Sequence, residues 1–200
     1  MARHQADNAL PSMGRQRLRP RAMNPATTRR PLSSFANIHA HDAPPSDDTV
    51  LSVRPGETLD PQGFYSIGIH PWDTPTPEEA LRVLERSASE NETVVAIGEC
   101  GLDALRGAPL DQQEEVFVAQ VRIAEKLGLP LIIHCVRALD RLLRLRKLHP
   151  GGQWVLHGFR GKPSTARQLL AAGIDLSFGP IRNPEAFAAT PPGRRFLETD

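Results

Sequence analysis

The stretch Val94-Val-Ala-Ile-Gly-Glu-Cys-Gly-Leu-Asp103 decides how this chain is expected to fold. Residues 94–97 form a short apolar run bounded by turn residues, which predicts a strand buried on both faces. The run closes with Gly98-Glu99, and a carboxylate at the end of a buried strand is costly unless another group pairs with it. Cys100-Gly101 is then expected to break the strand. Glu99 is therefore predicted to belong to a site in which several polar groups meet.

Four other apolar runs end in the same way, on side chains that can bind a metal ion or move a proton. The first run ends at His39-Ala-His41, and the others end at His134, His157 and Asp200. In parallel barrels the functional side chains stand at the carboxyl ends of the strands, so these residues are expected to meet Glu99 there. One carboxylate among several imidazoles is typical of a metal site.

The order of the elements predicts a compact α/β fold, a (β/α)₈ barrel of the TIM type. The predicted strands are residues 35–39, 49–53, 64–70, 94–97, 131–134, 153–157, 174–178 and 195–200. Predicted helices begin near residues 76, 111, 138, 162 and 183, and the first two are expected to open with capping boxes, Thr76–Glu79 and Asp111–Glu114. No helix fits between the second and third strands, and the final helix of a barrel is lacking. The chain is therefore expected to be truncated at its carboxyl end.

Residues 1–33 differ from the rest, because arginines and prolines are frequent there and no apolar period exists. They are predicted to be a disordered basic arm, with residues 34–200 forming the barrel. The arm could bind phosphate or act as a transit segment, but a leader without function is the favoured interpretation. The net charge of +1 gives no general reason to expect nucleic acid. Two cysteines without framework spacing, and no run long enough for a membrane span, favour a cytoplasmic location. No obligate protein partner is evident.

Two divalent ions bridged by Glu99 are the simplest arrangement that uses all of these side chains. We expect one ion between His39, His41, Glu99 and Asp200, and the other between Glu99, His134 and His157. Neutral imidazole ligands suit zinc, manganese, iron or cobalt, and the carboxylates keep magnesium possible. Two such ions can activate a shared water, which Asp200 is placed to orient or deprotonate. Glu99 and Asp200 are therefore the predicted catalytic residues.

Three further residues are weaker candidates for binding the substrate. His70 could support a metal ligand, contact a phosphate or have only a structural role beside Pro71. Arg137 and Arg160 each stand three residues beyond a predicted ligand and could hold an anionic substrate, although plain ion pairing is nearly as plausible. Asp103 is expected to hold the loop that follows Glu99.

The combined motifs resemble the TatD family of metal-dependent hydrolases, and most closely its shorter members. The resemblance is carried by His39-Ala-His41, Gly68-Ile-His-Pro71, Ile97-Gly-Glu-Cys-Gly-Leu-Asp103, Ile132-Ile-His-Cys-Val-Arg137, Leu156-His-Gly-Phe-Arg-Gly161 and Leu197-Glu-Thr-Asp200. It implies a metal-dependent barrel with two divalent ions and a deoxyribonuclease activity, often exonucleolytic from the 3′ end. It also implies that His39, His41, Glu99, His134, His157 and Asp200 are the metal ligands.

The sequence also departs from the family pattern, and the departures leave alternatives open. The loop after His157 reads His-Gly-Phe-Arg-Gly where longer members tend to have His-Cys-Phe-Ser-Gly, and the segment between the first and third strands is short. The leading hypothesis is a metal-dependent phosphodiesterase acting on DNA. The same site could instead cleave another ester or amide, because barrels change substrate through their loops. A truncated, non-catalytic barrel that binds nucleic acid through its basic arm is the third hypothesis.

Overall fold

The structure is a computed structural model in which residues 29–74 and 78–200 are described. A single sheet of eight parallel strands forms its centre, and neighbours in sequence are neighbours in the sheet throughout. The strands are β1 (Asn37–Ala40), β2 (Thr49–Val53), β3 (Phe64–Ile67), β4 (Val94–Asp103), β5 (Leu131–Val136), β6 (Trp154–Leu156), β7 (Ile174–Phe178) and β8 (Arg195–Leu197). Beyond β8, the Thr199 amide donates to the His39 carbonyl oxygen at 3.2 Å, which joins the last strand to the first. The sheet is thereby a nearly closed barrel, as predicted.

In the described residues, five α-helices lie between the later strands. They are α1 (Glu78–Glu90), α2 (Leu110–Leu127), α3 (Leu139–Leu148), α4 (Pro163–Ala171) and α5 (Pro184–Ala189), and short 3₁₀ helices cover Leu32–Ser34, Pro71–Asp73 and Pro192–Arg194. The described residues between β2 and β3 form no helix, which confirms the prediction for that unit. None of the helices in residues 29–74 and 78–200 is long and apolar enough to cross a membrane.

The apolar core has two layers, one on each face of the barrel. Between the strands and the helices lie Leu84, Phe117, Leu142 and Leu169, one from each of the first four α-helices. Inside the barrel lies a second cluster: Leu32, Phe35, Ile38, Val50, Val95, Ala96, Ile132, Val155 and Phe196. Burial on both faces explains why the strands are apolar runs rather than alternating patterns.

Strand β4 is longer than predicted, because Cys100-Gly101 does not break it. Pairing with β5 continues from Cys100 opposite Ile133 to Asp103 opposite Val136, after a register shift between Ile97 and Cys100. The pairing is interrupted near Gly98 and then resumes, as at a β-bulge, so the strand does not end there. Glu99 therefore lies inside a long strand at its irregular point, where neighbouring strands hold it on both sides.

Helix α2 begins one residue earlier than predicted, and it has no capping box. Its N-cap residue is Pro109, which offers no side-chain cap, and the Asp111 carboxylate instead accepts from Arg141 of α3. Glu114 likewise accepts from Arg144, so two arginines of α3 form ion pairs with α2. The carboxylates expected to form the capping box thus bind arginines of another helix instead of local backbone amides. Near the end of α3, Leu145 is buried and Leu148 is exposed. The predicted Thr76 cap lies outside the described residues.

The predicted boundary between the basic arm and the barrel, after residue 33, is wrong, because residues 29–33 belong to the folded barrel. The guanidinium of Arg29 donates to the carbonyl oxygens of Val94 at 2.8 Å and Ala88 at 2.7 Å. Leu32 is 1% exposed and belongs to the cluster inside the barrel. One buried leucine without a helical or alternating period gave no pattern that sequence analysis could detect. Residues 1–28 lie outside the described part.

Candidate metal centre and active site

Glu99 lies at the centre of the site, and its two carboxylate oxygens face different groups. Oε1 is 2.8 Å from His134 Nδ1 and 2.9 Å from His157 Nε2. Oε2 is 3.3 Å from His41 Nε2 and 3.5 Å from His39 Nε2. One carboxylate thus contacts imidazoles delivered by β1, β5 and β6.

Asp200 completes the second of these groups. Its Oδ1 lies 3.4 Å from His39 Nε2 and 3.3 Å from His41 Nε2, so it stands opposite Glu99 Oε2 across the same pair of imidazoles. The barrel closure described above positions it, because the neighbouring Thr199 is bonded to the His39 carbonyl oxygen. The structure therefore brings together all six residues that the sequence predicts as ligands.

His70 also reaches the centre, although the sequence predicts it only as a weaker candidate that could support a ligand, contact a phosphate or have a structural role. Its Nε2 is 3.1 Å from Glu99 Oε1, a separation similar to those of His134 and His157. Close backbone packing makes this possible, because a Cβ added to Gly68 would lie 2.6 Å from the Glu99 carbonyl oxygen. The group around Oε1 is thus larger than predicted, with His70 as a third imidazole.

The chemistry of these atoms fits metal ions. Both ring nitrogens of His39 are buried and have no hydrogen-bond partner among the described residues, which is costly for a buried polar side chain. Two ligands about 2.1 Å from one ion stand roughly 3.0–3.4 Å apart, depending on the coordination angle. The separations around Glu99 and Asp200 fall within or close to that range. Within the described part of the chain, possible ligand atoms form three clusters: His39, His157 and Asp200; His39, His41 and Glu99; His70, Glu99 and His134.

The surrounding imidazoles keep both carboxylates ionised. Burial alone raises the pKa of Glu99, but hydrogen bonds to the histidines, led by His134 and His157, outweigh burial and hold that pKa far below its usual range. Close contacts with His39 and His41 likewise hold the pKa of Asp200 well below its ordinary value. Two permanent negative charges in a partly buried cleft attract cations.

The carboxylates also change the proton affinity of the imidazoles. Contacts with Asp200 and Glu99 raise the pKa of His41 to about 9. Burial works against a charge on His157, yet contacts with Glu198 and Glu99 raise its pKa to about 10. In the metal-free protein, protons therefore take the place of metal cations, and metal binding must release them.

Two further carboxylates support the imidazoles from behind, and sequence analysis assigned neither of them that role. Asp103 Oδ2 is 3.2 Å from His134 Nε2, while its Oδ1 accepts from the Leu105 amide at 2.8 Å and holds the loop as expected. Glu198 is 4% exposed, and its Oε1 lies 3.7 Å from His157 Nδ1. The same Oε1 accepts from the Gly158 amide at 2.7 Å. The spacing of Glu198 two residues before Asp200 repeats that of His39 and His41 and could have indicated it.

The two arginines predicted to bind substrate stand beside this centre. Arg137 and Arg160 line one cavity of about 220 Å³ together with His157. Within residues 29–74 and 78–200, neither guanidinium takes part in a hydrogen bond or ion pair, so the alternative of plain ion pairing has no support there. Arg137 has a φ of 50°, a left-handed conformation that is uncommon outside glycine.

Comparison with known proteins gives consistent matches. The chain matches the model of the family described as TatD related DNase over residues 23–200. It is 45% identical to the "3'-5' ssDNA/RNA exonuclease TatD" of Cronobacter turicensis over 120 residues, which cover 56% of this chain and 44% of that protein. It is 35% identical to the metal-dependent hydrolase YabD of Bacillus subtilis over 150 residues, covering 68% of this chain and 58% of that protein.

A solved structure agrees with these matches. The crystal structure of YJJV, a TatD homologue from Escherichia coli K12, superposes with a TM-score of 0.67 at 25% identity and covers 76% of this chain and 66% of that one. The chain spans about half the length of the curated relatives it matches. Because the family model covers most of the sequence, including every predicted ligand, the chain belongs to the TatD-related DNase family.

Proposed function

We propose that this protein is a metal-dependent hydrolase that cleaves DNA phosphodiester bonds at a centre of two divalent ions. The observation that carries the proposal is that the two carboxylate oxygens of Glu99 face different groups of imidazoles. Its Oε1 faces His70, His134 and His157, whereas its Oε2 faces His39 and His41. A carboxylate with separate ligand groups on its two oxygens suits a bridging role between two ions.

Each group would supply enough ligands for one ion. His39, His41 and Asp200 would hold the first ion with Glu99 Oε2, and His134 and His157 would hold the second with Oε1. We add His70 to the second group because of its distance to Oε1. Zinc, manganese and magnesium all remain compatible with this donor set.

The residues around the centre have separate roles in the reaction. Divalent ions bound there would lower the pKa of a water molecule and stabilise charge on the entering and leaving oxygens. Asp200, which is ionised, would orient that water through a carboxylate oxygen and accept its proton. Asp103 and Glu198 would keep His134 and His157 in the orientations that their contacts require.

A polyanionic substrate fits the positive charges of two arginines beside the proposed metal centre. Arg137 and Arg160 offer two guanidinium groups without partners among the described residues, at a cavity that reaches His157. A guanidinium can bind phosphate oxygens through two parallel hydrogen bonds, which favours phosphodiesters over neutral esters or amides. Relatives that are named single-stranded DNA and RNA exonucleases support the same choice.

The test is a nuclease assay on strands labelled at the 3′ or the 5′ end. Protein treated with chelator should be inactive, and zinc, manganese or magnesium added separately should restore cleavage. The end from which labelled products shorten gives the polarity. Neutral p-nitrophenyl carboxylate esters serve as the comparison substrate. Cleavage of those esters without cleavage of DNA under any of these metals would contradict the proposal.

A further inference from the structure

Trp72 is a half-exposed aromatic residue at the edge of the proposed catalytic centre. Its side chain is 45% exposed, although tryptophan is highly buried on average in folded proteins. Its ring centroid lies 4.6 Å from that of His70 and 6.0 Å from that of His134. An exposed indole thus stands directly beside two imidazoles that contact Glu99.

The indole is held in place from several sides. Its Nε1 donates to Asp103 Oδ2 at 2.6 Å, and its backbone amide donates to the Nδ1 atom of His70 at 3.2 Å. Pro71 opens the short 3₁₀ helix in which Trp72 lies, which further restricts the backbone. A fixed ring loses little conformational freedom on binding a ligand, so any stacking energy is retained.

Arg106 lies over this ring and makes the surface cationic. Its guanidinium carbon is 4.5 Å from the Trp72 ring centroid. Gln113 holds the loop that carries Arg106 by donating to its carbonyl oxygen at 2.8 Å. Gly107, at a φ of +80°, packs so closely against the Pro71 carbonyl that no side chain would fit there. The two loops that present Trp72 and Arg106 are therefore locked together.

We propose that the Trp72–Arg106 pair is a stacking site for a nucleobase of the strand being cleaved, an inference that rests on the function proposed above. Aromatic rings and guanidinium planes are the two side-chain surfaces on which unpaired bases stack. A base can lie on the guanidinium or replace it on the indole. Because every base has a flat face, this site would bind strands with little preference for sequence. It would hold a base while the neighbouring phosphate reaches the centre around Glu99.

Two exposed apolar residues in loops that follow strands are consistent with an exposed binding surface at this end of the barrel. Leu105, in the loop after β4, is 61% exposed, and Ile181, in the loop after β7, is 72% exposed. Ile181 lines a cavity of about 130 Å³ with Asp200 and Arg160. The rim of the barrel thus offers apolar and cationic surface around an acidic centre.

The first test compares two strands that differ only in their bases. One is oligothymidylate, and the other has the same backbone with abasic tetrahydrofuran units at the terminal positions. The metal-loaded, full-length protein should cleave the base-bearing strand with a KM about 5- to 100-fold lower, the range that base–aromatic stacking supplies. Trp72→Leu should abolish this difference, whereas Trp72→Phe, which also loses the bond to Asp103 but keeps a ring, should retain most of it.

Trp72→Phe thus separates stacking from support of Asp103, and two arginine variants test the cationic half of the site. Arg106→Ala should reduce the difference in KM in part, and Arg86→Ala, at an exposed arginine on α1, should leave it unchanged. If both strands are cleaved with equal KM, or if Trp72→Leu keeps the full difference, the stacking site is refuted while the proposed hydrolase function stands.

The second test does not depend on turnover. Of the two tryptophans, Trp72 is half exposed and Trp154 is 1% exposed, so a stacked base should quench Trp72 fluorescence selectively. Titration with phosphorothioate oligothymidylate should quench the wild type and not Trp72→Phe, and the abasic strand should quench neither. Should neither strand be cleaved in the first test, the proposed function fails and this titration alone decides the stacking site. Absence of quenching by oligothymidylate would overturn it.

Discussion

At the scale of single residues, Glu99 is the group on which the proposed centre depends. Glu99→Gln keeps the size of the side chain but removes the charge that faces both groups of imidazoles. We expect this variant to lose both ions, whereas Asp200→Asn should lose only the ion of the His39 and His41 group. Metal analysis after gel filtration, with wild type at about two ions per chain, measures the difference. Full metal content in Glu99→Gln would show that Glu99 does not bridge.

Glu198 is expected to act through His157 rather than by contacting an ion. Glu198→Gln can still accept from the Gly158 amide, but it presents no negative charge to His157 Nδ1. Loss of such a supporting carboxylate typically weakens metal binding about 10- to 100-fold. Calorimetric titration with zinc should show weakening of one of the two binding events, with Glu115→Gln, an exposed position on α2, as the matched control. Equal affinities in the two variants would argue against this role.

At the scale of elements, the short helix Leu32–Ser34 supports the barrel from inside. Leu32 is 1% exposed among residues of β1, β2, β4, β5, β6 and β8. Leu32→Ala should destabilise the protein by about 2–5 kcal/mol, because it removes apolar contacts and leaves a cavity. For a chain of this size the melting temperature should fall by roughly 5–15 °C.

Leu148→Ala is the control for this prediction, because Leu148 is 64% exposed at the end of α3. A substitution at such a position usually changes stability by no more than about 0.5 kcal/mol. Thermal unfolding followed by circular dichroism compares the two variants under the same conditions. Equal melting temperatures would mean that the residues before β1 contribute no packing energy.

At the scale of the whole molecule, metal binding should stabilise the fold in a manner that depends on pH. The pKa values of His41 and His157 are raised to about 9 and about 10 in the metal-free protein. Their protonated forms therefore stabilise the metal-free protein below the unfolded pKa of about 6.5, and that contribution is lost as the pH rises through 9 to 10. Metal ions compete with these protons for the imidazoles, so the stabilisation that bound metal gives to the fold increases with pH.

The expected result is a larger gain in melting temperature on adding metal at pH 8 than at pH 6. At free metal about 100-fold above the dissociation constant, each ion should contribute about 2.7 kcal/mol. Calorimetric scans with metal and with chelator at both pH values provide the comparison. A gain that is larger at pH 6 would contradict the arrangement of imidazoles around Glu99 and Asp200.

The sequence alone predicted the barrel, the order of its strands, and Glu99 with the five other ligand residues that gather around it. It could do so because each ligand ends or closely follows an apolar run, and parallel strands bring their carboxyl ends to one edge. It also suggested the family, because those motifs occur in a specific order.

Tertiary structure decided which side chains touch. The direct contact of His70 with Glu99 depends on the close approach of β3 to β4, and the support of His157 by Glu198 depends on how β8 lies beside β1 and β7. Three other features also depend on contacts between segments far apart in the chain. They are the register shift within β4, the burial of Leu32 and the stacking of Arg106 on Trp72. A local pattern shows where a strand ends, but the distance between two strand ends is set by register and barrel closure, which no single segment contains.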